Sequence, residues 1–185
     1  VIKLIAEGVL SDAGVVCRVA PKALPAEHRL ARVNGSLNAV RVEADPVGAV
    51  TLTGPGAGAG PSARAVMGDV AKRFTPTARA PFGRAKHHVS RKFVAGDDNE
   101  RGAYFLRVYL ADRSGALAEL TEALAAEGVS VDKLLQDSAG EDGAAPVALV
   151  THVCTSGEMA RAMHRLANLS ASVDVPRVIR IETAE

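Results

Sequence analysis

The most constraining stretch of the chain is Leu52-Thr53-Gly54-Pro55-Gly56-Ala57-Gly58-Ala59-Gly60-Pro61-Ser62-Ala63, which joins a strand pattern to a helix pattern through a glycine-rich turn. Before it, Val47 to Thr53 alternates as a strand does. After it, Ala63, Val66, Met67 and Val70 recur at the three/four spacing of one helical face. Glycines accept positive φ and carry no Cβ, so the main chain can turn sharply and approach a ligand closely. A strand, such a turn and a helix N-terminus together form a place where a flat or negatively charged group can dock. A Walker A loop is excluded, because Gly60-Pro61-Ser62 has no lysine. The complete dinucleotide fingerprint is missing too, since no acidic residue closes a second strand about twenty residues on. On spacing alone, a tight connection with no ligand fits equally well.

The wording around the turn is more specific. Asn38-Ala39-Val40, Asp45-Pro46-Val47-Gly48, the Gly54 to Gly58 turn and Pro61-Ser62-Ala63-Arg64-Ala65-Val66-Met67-Gly68-Asp69 resemble, in order, the C-terminal half of the catalytic domain of homoserine dehydrogenase. Ile2-Lys3-Leu4-Ile5-Ala6-Glu7 and Val19-Ala20-Pro21-Lys22-Ala23-Leu24-Pro25 resemble the same family. One departure stands out: Ser62-Ala63-Arg64 replaces the family's usual Thr-Ala-Ser and sets a long cation at the mouth of the loop. The resemblance covers Val1 to about Lys72. It implies hydride transfer between a nicotinamide cofactor and aspartate semialdehyde or homoserine, with the main chain of Gly56, Ala57 and Gly58 near the nicotinamide. It also implies that the dinucleotide-binding domain, the catalytic lysine and its neighbouring aspartate belong to sequence before Val1. No catalytic residue is therefore assigned in this chain, and Lys3, Lys72 and Asp69 are read as structural. The expectation is an NAD(P)-dependent parent enzyme, no tightly bound cofactor here, and no activity from this piece alone.

Four short strands and one helix over the first 72 residues would make a small core, with the helix from Ser62 to about Arg73 covering one face of the sheet. Ser11-Asp12-Ala13-Gly14 is read as the turn of a hairpin, Pro25 to Leu30 as a short helix, and Ala39 to Glu43 with Val50 to Thr53 as further strands. Several edges would remain unpaired, so the rest of a parent domain or a second copy is expected to complete the sheet.

Arg73 to Lys92 holds six Lys or Arg and no acid, broken by Pro76, Pro81 and Gly83. Its alternatives are a basic arm for nucleic acid or an anionic cofactor and a solvated linker offset by Asp97, Asp98 and Glu100. Sparse aromatics favour the linker. His87-His88 is adjacent rather than helically spaced, so no metal site is expected.

From Gly102 the pattern is orderly. Tyr104, Leu106, Val108 and Leu110 alternate with Phe105, Arg107 and Tyr109. Asp112-Arg113-Ser114-Gly115 then turns into a helix with Leu117, Leu120 and Leu124 on one face and Gly128 as its stop. Strands follow from Val129 and over Val147 to Val153, then a helix lined by Met159, Met163 and Leu166, then a strand from Val173 to Ile181, with Pro176 at an edge or bulge. The order βαββαβ is that of a ferredoxin-like sandwich.

Leu106-Arg107-Val108, Asp112-Arg113-Ser114-Gly115-Ala116-Leu117, Gly128-Val129-Ser130-Val131 and Gln136 resemble an ACT domain, the small amino-acid-sensing module, with Ser114 in place of its usual proline. The resemblance implies a small amino-acid effector, threonine by analogy, held at Asp112, Ser114, Gly115, Ala116 and Leu117. It also implies pairing into a homodimer or homotetramer.

The fold expected is α+β: a partial mixed-sheet catalytic subdomain over 1–72, a basic linker over 73–101 and a ferredoxin-like ACT domain over 102–185. A net charge of +1 gives no bulk pull toward nucleic acid. No run of about eighteen apolar residues suggests a membrane span. Cys17 and Cys154 are read as buried, reduced and inert, in keeping with the cytoplasm. The alternative from another class is a stand-alone amino-acid-binding or dimerisation module that catalyses nothing.

Overall fold

The computed structural model describes residues 1–11, 14–74, 96, 98–141 and 143–182. The chain divides into two units, Val1–Pro25 with Phe93–Glu185, and Ala26–Lys92.

The first unit contains the predicted sandwich. Its elements are β5 (Arg101–Ala111), α2 (Ala116–Ala126), β6 (Val131–Gln136), β7 (Ala144–Thr151), α3 (Ser156–Ala167) and β9 (Arg177–Ile181), in that chain order. The strands pair antiparallel in the order β9-β5-β7-β6, the ferredoxin-like arrangement. Period-two alternation turns Tyr104, Leu106, Val108 and Leu110 toward the helices, where all four are buried. They meet Leu120 and Leu124 of α2 and Met159, Ala162 and Leu166 of α3 in one apolar cluster. The methionines of α3 are therefore core, Met159 buried and Met163 packed against it. Gly128 at φ 79° follows the Glu127 cap and ends α2 where the glycine predicted it. Thr155 and Glu158 form a reciprocal capping box at the start of α3.

Several boundaries differ from the sequence reading, among them the third strand, read over Val147 to Val153 and observed over Ala144–Thr151. The second strand begins at Val131 rather than Val129. A two-residue strand, β8 (Cys154–Thr155), pairs with the first residues of β5. The last strand is split: Ser172 makes an isolated bridge to Leu110, and β9 starts only after Pro176, which has no N–H to continue the ladder.

The chain's first residues also belong here. β1 (Ile2–Ser11) and β2 (Gly14–Ala23) form a ten-pair antiparallel hairpin, and β2 lies parallel to β9 through the pairs Lys22↔Arg180 and Ala23↔Ile181. Glu182 N–H donates to the Ala23 carbonyl at 2.8 Å. The sheet thus runs β1-β2-β9-β5-β7-β6. These contacts group the hairpin with residues 93–185, whereas the sequence reading grouped it with residues to 72. The grouping follows the β2–β9 pairing and the Glu182–Ala23 backbone bond. On the sheet face away from the helices the hairpin leaves Ile2, Leu4 and Val19 exposed. Cys17 is exposed on that face, which corrects the expectation of a buried thiol, whereas Cys154 is buried and both are free.

The second unit holds a 3-10 helix over Arg29–Arg32, a ribbon of β3 (Leu37–Ala44) and β4 (Gly48–Pro55), and α1 (Ala59–Arg73). The helix read over Pro25 to Leu30 lies a few residues later, with His28 Nδ1 accepting from Leu30 N–H at 3.2 Å. The ribbon is a two-stranded sheet of its own, so among the described residues there is no four-stranded sheet for α1 to cover. That expectation is corrected: α1 buries none of its residues, and Val66, Met67 and Val70 are exposed. Val40, Val42, Val50 and Leu52, which share one face of the ribbon by register, are exposed as well. The basic stretch, apart from Arg73 and Phe74, and the His87-His88 pair lie outside the described residues, and so does the Asp12-Ala13 turn.

Candidate functional site

The glycine-rich turn joins β4 to α1. Gly56 N–H donates to the Ser36 carbonyl at 2.8 Å, which continues the ribbon one step beyond Leu37↔Pro55. The side chain of Asn38 lies over Gly56 so closely that a Cβ there would stand 1.9 Å from Nδ2. Gly58 caps α1 at φ 120°, a conformation that L side chains rarely adopt. No side chain caps this terminus and no acidic residue occupies the first turn, so its amides are left to solvent or to an acceptor from elsewhere. Ala57 sits between these two constrained glycines.

An open groove of about 620 Å³ runs beside the turn, lined by Pro55, Gly60, Arg64, Gly68, Asp69 and Lys72 among others. Arg64 is exposed there, while Lys72 Nζ pairs with Asp69 Oδ1 at 2.9 Å, both well exposed. Lys3 is elsewhere, in β1 opposite Lys22. Missing side chains, a helix N-terminus and a neighbouring cation suit the edge of a planar, anion-bearing group. Among the described residues no group of three or more His, Cys, Asp or Glu is placed to hold a metal ion.

The second site lies where β5 passes into α2. Asp112 N–H donates to the Gly143 carbonyl at 3.1 Å and Arg113 N–H to the Ala111 carbonyl at 2.8 Å, which holds the loop in a tight turn. Gly115 caps α2 in the left-handed conformation, φ 89°, again without a side-chain cap. Ala116 is buried and Leu117 packs on the core, so the first turn of α2 is anchored from below while Asp112, Ser114 and Gly115 face solvent.

Three charged or polar groups that sequence reasoning did not assign stand beside this loop. Arg113 Nη2 donates to Glu119 Oε1 at 2.7 Å and to Ser170 Oγ at 3.0 Å, and Ser170 Oγ donates to Glu119 Oε2 at 3.0 Å. The hydrogen bonds from Arg113 and then Ser170 hold Glu119 below the usual carboxylate range. The Arg113 and Glu119 spacing across the loop could have suggested that pair. Ser170, 51 residues beyond Glu119, left no sequence signal. Arg113 is thus a guanidinium fixed at the mouth of an open helix N-terminus, an arrangement that can receive a carboxylate.

Residues 1–71 match the family model described as homoserine dehydrogenase, and residues 104–170 match that of the ACT domain. The homoserine dehydrogenase of Mycobacterium tuberculosis is 31% identical over 185 residues, covering 96% of this chain and 42% of that protein. That of Corynebacterium glutamicum is 34% identical over 171 residues, 91% of this chain and 37% of the relative. Among solved structures, a homoserine dehydrogenase from Thiobacillus denitrificans superposes with a TM-score of 0.74 at 29% identity, over 98% of this chain and 42% of that one. A homoserine dehydrogenase from S. aureus shares the fold at a TM-score of 0.58 and 22% identity, over 100% of this chain and 42% of that one. The chain therefore spans about two fifths of the length of the relatives it matches.

Proposed function

We propose that this chain, which belongs to the homoserine dehydrogenase family over residues 1–71 and carries an ACT domain over residues 104–170, serves an NAD(P)-dependent oxidoreductase under amino-acid control. The complete protein would interconvert aspartate semialdehyde and homoserine in the cytoplasm, within threonine, methionine and isoleucine synthesis. Bound nicotinamide would supply the hydride. This chain's part is to present the main chain of Gly56, Ala57 and Gly58, with Asn38 packed over Gly56, beside an uncapped helix N-terminus. Reducing the carbonyl also needs a proton donor within hydrogen-bond reach, and no residue described here is placed to be one. The piece by itself is therefore expected to be inactive. A hydride-transfer assay with aspartate semialdehyde and NADPH checks this, and clear turnover would overturn it.

The sensor is the better defined half. The observation that carries it is the left-handed Gly115 at the uncapped start of α2, flanked by Arg113, Glu119 and Ser170. An amino acid carries an α-carboxylate for the amides of the first turn and an α-ammonium for an acceptor such as Glu119. Threonine is the proposed effector, an end product of the branch that homoserine feeds. Pairing of two such modules into a homodimer or homotetramer would let one ligand bias catalysis, since a ligand shifts an equilibrium only by its differential affinity for the two states. Calorimetry with threonine, methionine, isoleucine and serine identifies the ligand. Arg113→Gln and Ser170→Ala should weaken binding about tenfold or more, and no binding by any of the four would leave the module architectural.

A free-standing amino-acid-binding module remains the second reading, supported by the sandwich's own complete core. An upstream reading frame encoding a strand followed by Gly-x-Gly-x-x-Gly selects the enzyme.

A further inference from the structure

The junction between β2 and β9 is short in backbone terms and dense in side-chain terms. Only two residue pairs register the strands, Lys22↔Arg180 and Ala23↔Ile181. Around them runs an unbroken chain of opposite charges. Lys22 Nζ donates to Glu182 Oε2 at 2.7 Å and to Glu7 Oε1 at 3.0 Å. Arg18 pairs with the same Glu7 and reaches Glu100 Oε1 at 2.7 Å, and Arg180 Nη1 approaches that oxygen at 2.7 Å. Arg180 Nη2 also donates to the Arg101 carbonyl at 2.8 Å. Three cations and three carboxylates alternate along the path Glu182, Lys22, Glu7, Arg18, Glu100, Arg180.

This chain of charges reads register, not merely proximity. The Lys22 side chain is only 5% exposed, and a slip of one residue in β2 would turn it to the opposite face, taking Lys22 from Glu182 and Arg18 from Glu100. Breaking such a half-buried set by removing one member leaves uncompensated charge behind, which is far costlier than losing an exposed pair. The fit extends to Gly102, where a Cβ would come 3.0 Å from Arg180 Nε and 3.2 Å from its Cζ, so a side chain there would press on the guanidinium.

We propose that this charge chain, with Lys22 its most buried member, makes the β1–β2 hairpin one folding unit with the ACT sandwich, so that occupancy of the amino-acid site is felt in residues 2–23. The second half rests on the effector reading above; the first does not. The mechanism is linkage. A ligand that binds only the folded sandwich suppresses every opening that requires the sandwich to unfold, and leaves purely local openings untouched. A lone two-stranded hairpin is marginal in water, so a hairpin that opened locally would exchange its amides freely whatever the sensor bound. Locked to β9, it opens only with the core. The hairpin comes from the homoserine dehydrogenase segment, and the lock would thus carry the effector's stabilisation into that segment without a moving part.

The test is amide hydrogen exchange on the full chain at graded urea, following peptides from β1–β2, β5 and β7. In the unmodified chain the hairpin and the two core strands are expected to share one urea dependence. In Lys22→Met, and in the milder Glu182→Gln, the hairpin should exchange at least tenfold faster while β5 and β7 keep their pattern. Arg165→Gln, which removes an exposed pair with Glu127, should change nothing in the hairpin. Threonine at one hundred times its Kd should slow hairpin exchange about 100-fold in the unmodified chain and not in Glu182→Gln. A hairpin that exchanges independently of β5 in the unmodified chain, or that stays with β5 in Glu182→Gln, overturns the lock. Threonine that slows neither hairpin nor core overturns the effector reading alone, because the urea comparison does not use it.

Discussion

Asn38 occupies the space that any side chain at Gly56 would need: a Cβ built there falls 1.9 Å from Nδ2 and 2.3 Å from Cγ of the amide. Gly58, two residues on, has only Pro61 Cδ near a built Cβ, at 3.6 Å, but sits at φ 120°. The two glycines are thus needed for different reasons, one for room and one for conformation.

Gly56→Ala should displace the exposed Asn38 side chain at a cost below about 1 kcal/mol, since an exposed amide can swing aside. Gly58→Ala should cost about 1–3 kcal/mol as backbone strain and fray the first turn of α1. Amide exchange and the Asn38 side-chain NMR resonances separate the cases. The reverse pattern would show that the loop relaxes differently from its geometry.

Gly115→Ala asks a non-glycine residue to hold φ 89°, which should destabilise the sandwich by about 1–2 kcal/mol and weaken amino-acid binding together. Thermal denaturation and calorimetry on one sample read both. An unchanged melting temperature with full affinity would mean that the turn does not need its left-handed residue.

Acid should loosen the hairpin before the core. Glu100 is held below its ordinary value chiefly by the hydrogen bond from Arg18; for Glu7, burial pushes upward and the hydrogen bonds from Arg18 and Lys22 outweigh it. A carboxylate depressed in the folded state stabilises it fully above the unfolded pKa, about 4.3, and loses that contribution as pH falls through the folded value. Exchange in residues 2–23 should therefore accelerate below pH about 4, after correction for intrinsic rates, while β7 holds. Equal protection of the hairpin at pH 6 and pH 3 would contradict this.

Leu106→Ala and Leu124→Ala remove fully buried side chains and should each cost about 2–5 kcal/mol, whereas Leu4→Ala, at 72% exposure, should stay within about 0.5 kcal/mol in the isolated chain. Urea midpoints compare them. A large effect at Leu4 would mean that this face is covered in solution.

A thiol reagent should modify Cys17 at once and Cys154 only on unfolding. Cys17 is exposed, while burial, followed by the nearby Glu158, pushes the Cys154 thiol up and disfavours its reactive thiolate. Mass spectrometry with and without denaturant decides it.

The sandwich could be read ahead of the structure because its signals are local. Tyr104 to Leu110 alternate, Leu117, Leu120 and Leu124 step by three and four, and Gly115 and Gly128 stand at the two ends of the helix between them. The allegiance of the hairpin could not be read this way. It depends on Lys22 meeting Glu182, 160 residues away, and no periodicity encodes such a meeting. The exposure of Cys17 has no local signal either, because its apolar neighbours mark a strand but do not say which face of the sheet is covered. In the glycine turn the residue types were informative, yet the Asn38 contact with Gly56 appears only once the ribbon register Asn38↔Gly54 is known.

Seating β2 beside β9 also sets an order of events during synthesis. At roughly 5–20 residues per second the ribosome makes the hairpin about 8–30 s before the strand that receives it, since the two lie 160 residues apart. Throughout that interval the edge of β2 and the Lys22 ammonium lack the partners that β9 and Glu182 later supply. Nascent chains of this protein are therefore expected to engage chaperones early and to release them only when the C-terminal strand clears the exit tunnel.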